Sequence, residues 1–458
     1  MLFNSWIFVV FFMVVYPVYV VLRGTPFMVP WLLLASYAFY AWLNPLYLPL
    51  VGYATAITYF AAWLMEKAGR RKLWLILSLV NSLGLLGFFK YAGFATDNLN
   101  ALLGHMGASY RIPAPGILLP IGISFFTFRT VSYIIDYYRG QVPRERSLIR
   151  FAAYVAFFPQ LLMGPIERST NLLPQLSGAP KITRQDIADG LSLFIVGLFK
   201  KAALADYLAL YADKVFDAPA QFKAPALVLA SFAYAWQIYF DFSGYTDMAR
   251  GIGQMMGFRL MLNFSNPYLA TDLGDFWRRW HISLSTWFKD YVYIPLGGNR
   301  AGQFNTYKNM ILTMVISGLW HGAAWTFVIW GALHAAGRVV TRELERAAFY
   351  REKVPKLAKQ MGVFAFVTFA WIFFRAPTFH DASLIVTRIF TTGWADPAFP
   401  VLALVLVLAV WLYEHLYESQ HKWMLALAPA RVAIVVMMAV YLTVFAGSGA
   451  QPFIYFQF

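Results

Sequence analysis

Cysteine is absent from the 458 residues. That excludes a disulfide framework, a thiolate nucleophile and a thiolate metal site, so any nucleophilic chemistry must use other side chains. Charge is also scarce: Asp, Glu, Lys and Arg make up 13% of the chain, about half of ordinary soluble usage. Acid is scarcer than base, 22 residues against 37, for a formal net charge of +15. No internal repeat, low-complexity tail or soluble domain is visible. What fills the chain is apolar, 60% hydrophobic and 19% aromatic, and several runs reach the roughly 20 apolar residues that a helix needs to cross a bilayer. The composition is that of an integral membrane protein.

The first run, "LFNSWIFVVFFMVVYPVYVVL", is too long for a signal h-region and has no basic segment before it, so it is expected to remain as a membrane helix. Further runs lie near 26 to 44, 47 to 65, 73 to 90 and 115 to 137. Basic residues gather in alternate connections: Arg23, then Lys67, Arg70, Arg71 and Lys72, then Arg139, Arg144, Arg146 and Arg150. The connection from 91 to 114 carries little positive charge beyond Arg111. A second basic block spans 338 to 359, and runs at 361 to 374, 398 to 416 and 429 to 447 follow it. This alternation predicts basic loops in the cytoplasm and both termini in the periplasm, and it accounts for the positive charge without nucleic acid. Between 151 and 307, Lys200, Lys201, Asp241, Asp247 and Arg250 interrupt apolar stretches. Polar breaks at membrane depth require a protein or cavity lining, which predicts broken or re-entrant helices there. The expected fold is all-α and polytopic, roughly 10 to 12 membrane helices by length of run. The chain reads as one domain: N-terminal helices over 1–110, a core over 115–340 and C-terminal helices over 361–458.

Candidate site residues come from charge placed among aromatics. In "DFWRRWHISLSTWFKDYVYIPLGGNR", Arg278, Arg279 and His281 stand beside Trp277, Trp280 and Trp287. One reading is an interfacial belt, with indoles at headgroup level and arginines reaching lipid phosphate; the other is a site. In "MVISGLWHGAAWTFVIWGALHAAG", His321 follows Trp320 and falls near the middle of a run from Ile311 to Ala336, roughly 15 Å along a continuous helix. The neighbouring Gly318, Gly322, Ala323 and Ala324 would let another helix or a thin acyl chain come close. On one helix, His334 would face nearly the opposite way and lie roughly 20 Å further along, as a structural residue at the cytoplasmic interface. In "DFSGYTDMAR", Asp241 with Tyr245 and Asp247 with Arg250 could each meet on one helical face, and Arg129 and Asp136 share a face in "FRTVSYIID".

Those motifs, with "QIYFDFSGYTDMARGIGQMMGFR", "LPIGISFFTFRTVSYIIDYYRG" and the closing "PFIYFQF", resemble the membrane-bound O-acyltransferase family, and within it the bacterial polysaccharide branch that acetylates alginate. The resemblance implies helices around a tunnel across the inner membrane, with the family's histidine of the "WHG" element at His321 and its second site position at His281. It implies an acetyl donor, acetyl-CoA, reaching the tunnel from the cytoplasm, with no bound cofactor and no metal site. It also implies periplasmic acetyl-accepting proteins as partners, lipid around the chain and an exopolysaccharide as final acceptor.

Acyl transfer from a thioester to a hydroxyl needs a base, and imidazole suits that role; a donor must meet the oxyanion. His321 is the expected base, and His281, Trp N–H groups or backbone amides at a broken helix could supply the donor; the order between His281 and His321 rests on the family. Arg278, Arg279, Trp280, Trp320, Asp241 and Tyr245 are the expected donor- and substrate-binding residues. Acetylation of cellulose or another glycan, D-alanyl or lipid acyl transfer, and a transporter or flippase with broken helices remain open alternatives on the residues.

Overall fold

The computed structural model describes residues 1–117, 119–445 and 451–454. Helices dominate, and no β-strand occurs among the described residues. The chain divides into two compact units, Met1–Leu191 with Ala249–Met261 and Ser192–Met248 with Leu262–Phe458.

The first unit opens with α1 (Trp6–Leu22), whose N-cap Ser5 hydroxyl accepts the Phe8 N–H at 3.2 Å, satisfying one of the unpaired donors of a first turn. Then come α2 (Met28–Ala41), α3 (Leu48–Lys67) and α4 (Arg71–His105). The helix α4 is longer than the apolar run at 73 to 90, and most of the expected loop from 91 to 114 is helical. Hydropathy marks where a helix could leave the membrane, not where it stops. The polar turn of α4 satisfies itself, as when Asn98 Nδ2 donates to the Phe94 carbonyl at 2.7 Å. The next helix, α5 (Ile123–Tyr138), starts later than 115 because Pro113, Pro115 and Pro120 precede it and Gly122 turns the chain at φ 82°. The short helices α6 (Leu148–Ala156) and α7 (Ser169–Ser177) follow, then the first turns of α8 (Arg184–Phe199). Arg129 is fully buried here and donates to the Phe125 and Leu161 carbonyls, each at 3.3 Å. Glu167 accepts from the Asn171 amide at 2.6 Å and from the Met261 N–H.

In the second unit the end of α8 widens into a π-helical stretch, Lys200–Ala205, before α9 (Asp206–Phe216). The long α10 (Ala224–Met255) contributes its first part. Short helices α11 (Leu273–Arg279) and α12 (Ile282–Phe288) lead through a second π-helical stretch, Lys289–Tyr293, to α13 (Gly302–His321) and α14 (Trp325–Leu344). The breaks expected between 151 and 307 are therefore present. Then come α15 (Ala348–Lys353), α16 (Lys356–Arg375), α17 (Phe379–Thr391), α18 (Val401–Glu418), α19 (Trp423–Ala426) and α20 (Ala428–Phe445). Among the described residues, four helices are long and apolar enough to cross a membrane, Pro45–Lys67, Arg71–His105, Lys356–Arg375 and Val401–Glu418. Trp6–Leu22, Met28–Ala41 and Ala428–Thr443 are shorter apolar helices. Part of the closing "PFIYFQF" motif, residues 455–458, lies outside the described residues.

Candidate functional site

The single helix expected from Ile311 to Ala336 is a hairpin. The helix α13 ends at His321, Gly322 to Ala324 run extended, and α14 returns from Trp325. An apolar run hides such a turn, because nothing polar marks it. The small residues serve the hairpin itself. A Cβ on Gly331 would lie 2.5 Å from the Met314 carbonyl oxygen, and one on Gly318 would run into the Phe327 carbonyl. The helix that approaches closely is α14.

The hairpin changes the relation of the histidines. His321 is not mid-helix but terminal, 4% exposed, with its ring edge-on to Trp320, Trp330 and Phe374 at centroid distances of 4.9, 5.1 and 5.2 Å. His334 does not point away from that ring set. It is wholly buried, 4.7 Å from Trp330 and 5.1 Å from Trp277, so one indole touches both imidazoles. His281 is also wholly buried, stacked on Phe242 at 4.6 Å and 6.3 Å from Trp320. Trp320 thus neighbours both His281 and His321.

The sequence around His281 explains its placement. Asp272 caps α11 by accepting the Gly274 and Asp275 N–H groups, and the helix ends at Arg279. Trp280 is 1% exposed, packed against Phe264, Phe276 and Trp371 at 5.0, 5.5 and 5.1 Å, and Trp287 is buried as well. An interfacial belt is ruled out for these two. His281 then adopts φ 43° and ψ 54°, a left-handed backbone that costs a residue with a Cβ roughly 1–3 kcal/mol.

The two arginines part company. Arg279 is spent within the fold, donating to Asp275 at 3.0 Å, to the Ser265 carbonyl at 3.3 Å and to Glu418. Arg278 has a side chain 65% exposed, with Asp275 at 3.4 Å and Asp272 at 3.8 Å.

Asp241 and Asp247 on α10 each take a lysine partner from the π-helical stretch. Asp241 meets the Lys201 ammonium at 2.7 Å rather than Tyr245, and its other oxygen accepts the Ile454 N–H at 2.9 Å. Lys201 also reaches Asp206 at 2.8 Å and lies 4.4 Å over the Phe453 ring. Tyr245 is buried edge-on to Phe453 at 5.1 Å, and Asp247 pairs with Lys200 at 2.7 Å. The cause is the π-helical stretch, whose extra residue per turn carries Lys201 inward to 1% exposure. Sequence reasoning treated Lys200 and Lys201 as interruptions and missed them as counter-ions. It also missed Trp330 and Phe374, and Glu414, buried and accepting the Tyr239 hydroxyl at 2.7 Å.

The model of the membrane-bound O-acyltransferase family matches residues 141–379, which hold His281, His321 and the whole hairpin. The "probable alginate O-acetylase AlgI" of Pseudomonas putida is 43% identical over 397 residues, covering 86% of this chain and 81% of that protein. The chain belongs to the membrane-bound O-acyltransferase family. It is an O-acyltransferase of polytopic helical fold. A peptidoglycan O-acetyltransferase of Helicobacter pylori is 35% identical over 93% of this chain and 91% of its own length. A teichoic acid D-alanyltransferase of Streptococcus thermophilus is 31% identical over 48% of this chain and 56% of its own.

Proposed function

We propose that this acyltransferase takes acetyl from a cytoplasmic thioester, acetyl-CoA, and passes it through the membrane for O-acetylation of an exported glycan. The observation that carries the reading is the pair of buried imidazoles that both neighbour Trp320. His321 acts as base: its ring takes the proton of the acceptor hydroxyl as that oxygen attacks the thioester carbonyl. The tetrahedral oxyanion is met by a donor at His281. Collapse breaks the C–S bond, and the thiolate leaves with the proton held on His321. Aromatic walls keep water, a competing acceptor, away from the acyl carbon. Arg278, exposed and only partly neutralised, is suited to the donor's phosphates, and Trp320 is suited to the acyl group.

Orientation follows the charges: the loops at 66 to 72 and 338 to 359 lie in the cytoplasm and both termini in the periplasm of an inner membrane. The acceptor is a glycan, with alginate favoured by the 43% relative and peptidoglycan by the relative that spans more of the chain. A periplasmic protein that accepts acetyl and hands it to the polymer completes the route. The test is incubation of the purified protein with acetyl-labelled CoA, alone and with alginate, peptidoglycan or a candidate periplasmic partner. Label is expected in one of these acceptors. Release of free acetate alone, or no dependence on the thioester, would overturn the reading.

A further inference from the structure

Asn263 lies outside every charged or aromatic motif, in the link that follows α10, yet it organises the backbone of His281. In the left-handed region a residue with a Cβ needs outside support, and His281 is one of three such residues among those described. The support comes from a short pairing of two segments. Ser265 N–H donates to the Arg279 carbonyl at 2.9 Å, and Ile282 N–H donates to the Asn263 carbonyl at 2.9 Å. The Asn263 side chain continues the pairing: its Oδ1 accepts the Ser283 N–H at 3.2 Å and the Ser283 hydroxyl at 2.9 Å.

Ile282 and Ser283 are the first two residues of α12, whose N–H groups have no partner within the helix. A side chain at the cap position ordinarily takes one of them. Here His281 holds the cap position without capping, and Asn263 takes both from across the pairing. The imidazole lies against Phe242 and near Trp320. Orientation of the amide is fixed by chemistry, since a backbone N–H can only donate, so the atom it faces is the oxygen. The other end, Nδ2, has no hydrogen-bond partner among the described residues, although Asn263 is 1% exposed. A buried donor left unpaired is unfavourable, so the residue is poorly explained by stability alone.

We propose that Asn263 is a positioning residue for acyl transfer, holding the left-handed backbone that aims His281 at the Trp320 side of the site. This rests on the reading of His281 as a site residue. The experiment is a double-mutant cycle on the full-length protein in detergent, with Asn263→Ala, His281→Ala and both together, reading kcat, donor KM and thermal stability. Asn263→Ala is expected to lower kcat about 10- to 100-fold, the scale of a small misplacement, with KM within about twofold, and to add nothing in the His281→Ala background. Ser283→Ala, which keeps the Ser283 N–H but loses its hydroxyl bond, should give a smaller loss with the same non-additivity, and it decides the matter if Asn263→Ala does not fold. Independent, multiplicative losses in the double mutant would overturn the proposal, as would a loss confined to KM. A kcat loss in His281→Ala with none in Asn263→Ala sinks the positioning role alone, whereas wild-type kcat in His281→Ala sinks the reading of His281 and this role with it.

Discussion

Replacing His321 tests the base assignment, but the structure dictates which replacement is informative. Its ring meets three aromatic rings at 4.9 to 5.2 Å, and edge-on pairs of this kind contribute about 0.5–1.5 kcal/mol each. His321→Ala would forfeit roughly 1.5–4.5 kcal/mol by that measure and leave a hole at the end of α13, so its inactivity could reflect unfolding. His321→Gln keeps length and polarity while removing the titratable ring. Loss of a general base costs 10²- to 10⁴-fold in rate, about 2.7–5.4 kcal/mol of barrier. Initial rates of labelled acetyl transfer, at matched amounts of detergent-purified protein with a melting curve on each variant, are therefore expected to fall at least 100-fold for His321→Gln. His334→Gln is the matched control, since it removes a similar ring from the same Trp330, and it should stay within a few-fold of wild type. If His321→Gln stays within about tenfold of wild type, or His334→Gln falls further, His321 is not the base.

Reporter fusions after residues 70 and 350 should be active in the cytoplasm, and fusions at the C-terminus active only in the periplasm; the reverse pattern refutes the charge-based orientation. Arg278→Lys should raise the donor KM with little change in melting. Arg279→Lys should lower the melting temperature instead, because that fork serves Asp275, Ser265 and Glu418 together; equal effects on KM would refute the division. Asp186, at the start of α8, accepts from Thr183 and Arg259, and these bonds pull its carboxyl down from 3.8 to about 2. A depressed folded value means its stabilisation is present above pH 3.8 and fades as pH falls towards 2, so Asp186→Asn should flatten the acid limb of the melting profile, and an unchanged limb would refute the link.

Much of this molecule was legible because apolar run length and helix geometry act locally. The runs at 26 to 44, 47 to 65, 361 to 374, 398 to 416 and 429 to 447 correspond to α2, α3, α16, α18 and α20. His321 is legible because the cost of burying a polar ring in an apolar run can be read from the run alone, whereas His281 enters through the resemblance to the family. Failures came where one pattern has two structural meanings. The small residues around His321 mark close approach, and the sequence cannot say whether the approaching helix is distant or the next one back. Reading it as distant kept the helix straight and turned His334 away. The loop after 90 failed differently, since helical propensity outlasted the hydrophobic signal as far as His105.

The ion pairs show what a stricter physical reading could have recovered. Between 200 and 247 the chain places Lys200 and Lys201, both at the end of an apolar helix, in the same stretch as Asp206, Asp241 and Asp247. In such surroundings an unpaired charge is so unfavourable that each cation requires a carboxylate. Pairing inside α10 satisfies helical spacing but leaves both lysines uncompensated; pairing across helices neutralises them, and only the second solution is compatible with burial. The cost is a register shift, and the π-helical stretch at Lys200–Ala205 supplies it. Charge balance over the segment therefore calls for partners that the i, i+3 and i, i+4 rule of solvated helices does not supply. The same constraint bears on the site: Lys201 is held by Asp206 and Asp241, and Arg279 by Asp275 and Glu418, so both cations are committed to holding the fold.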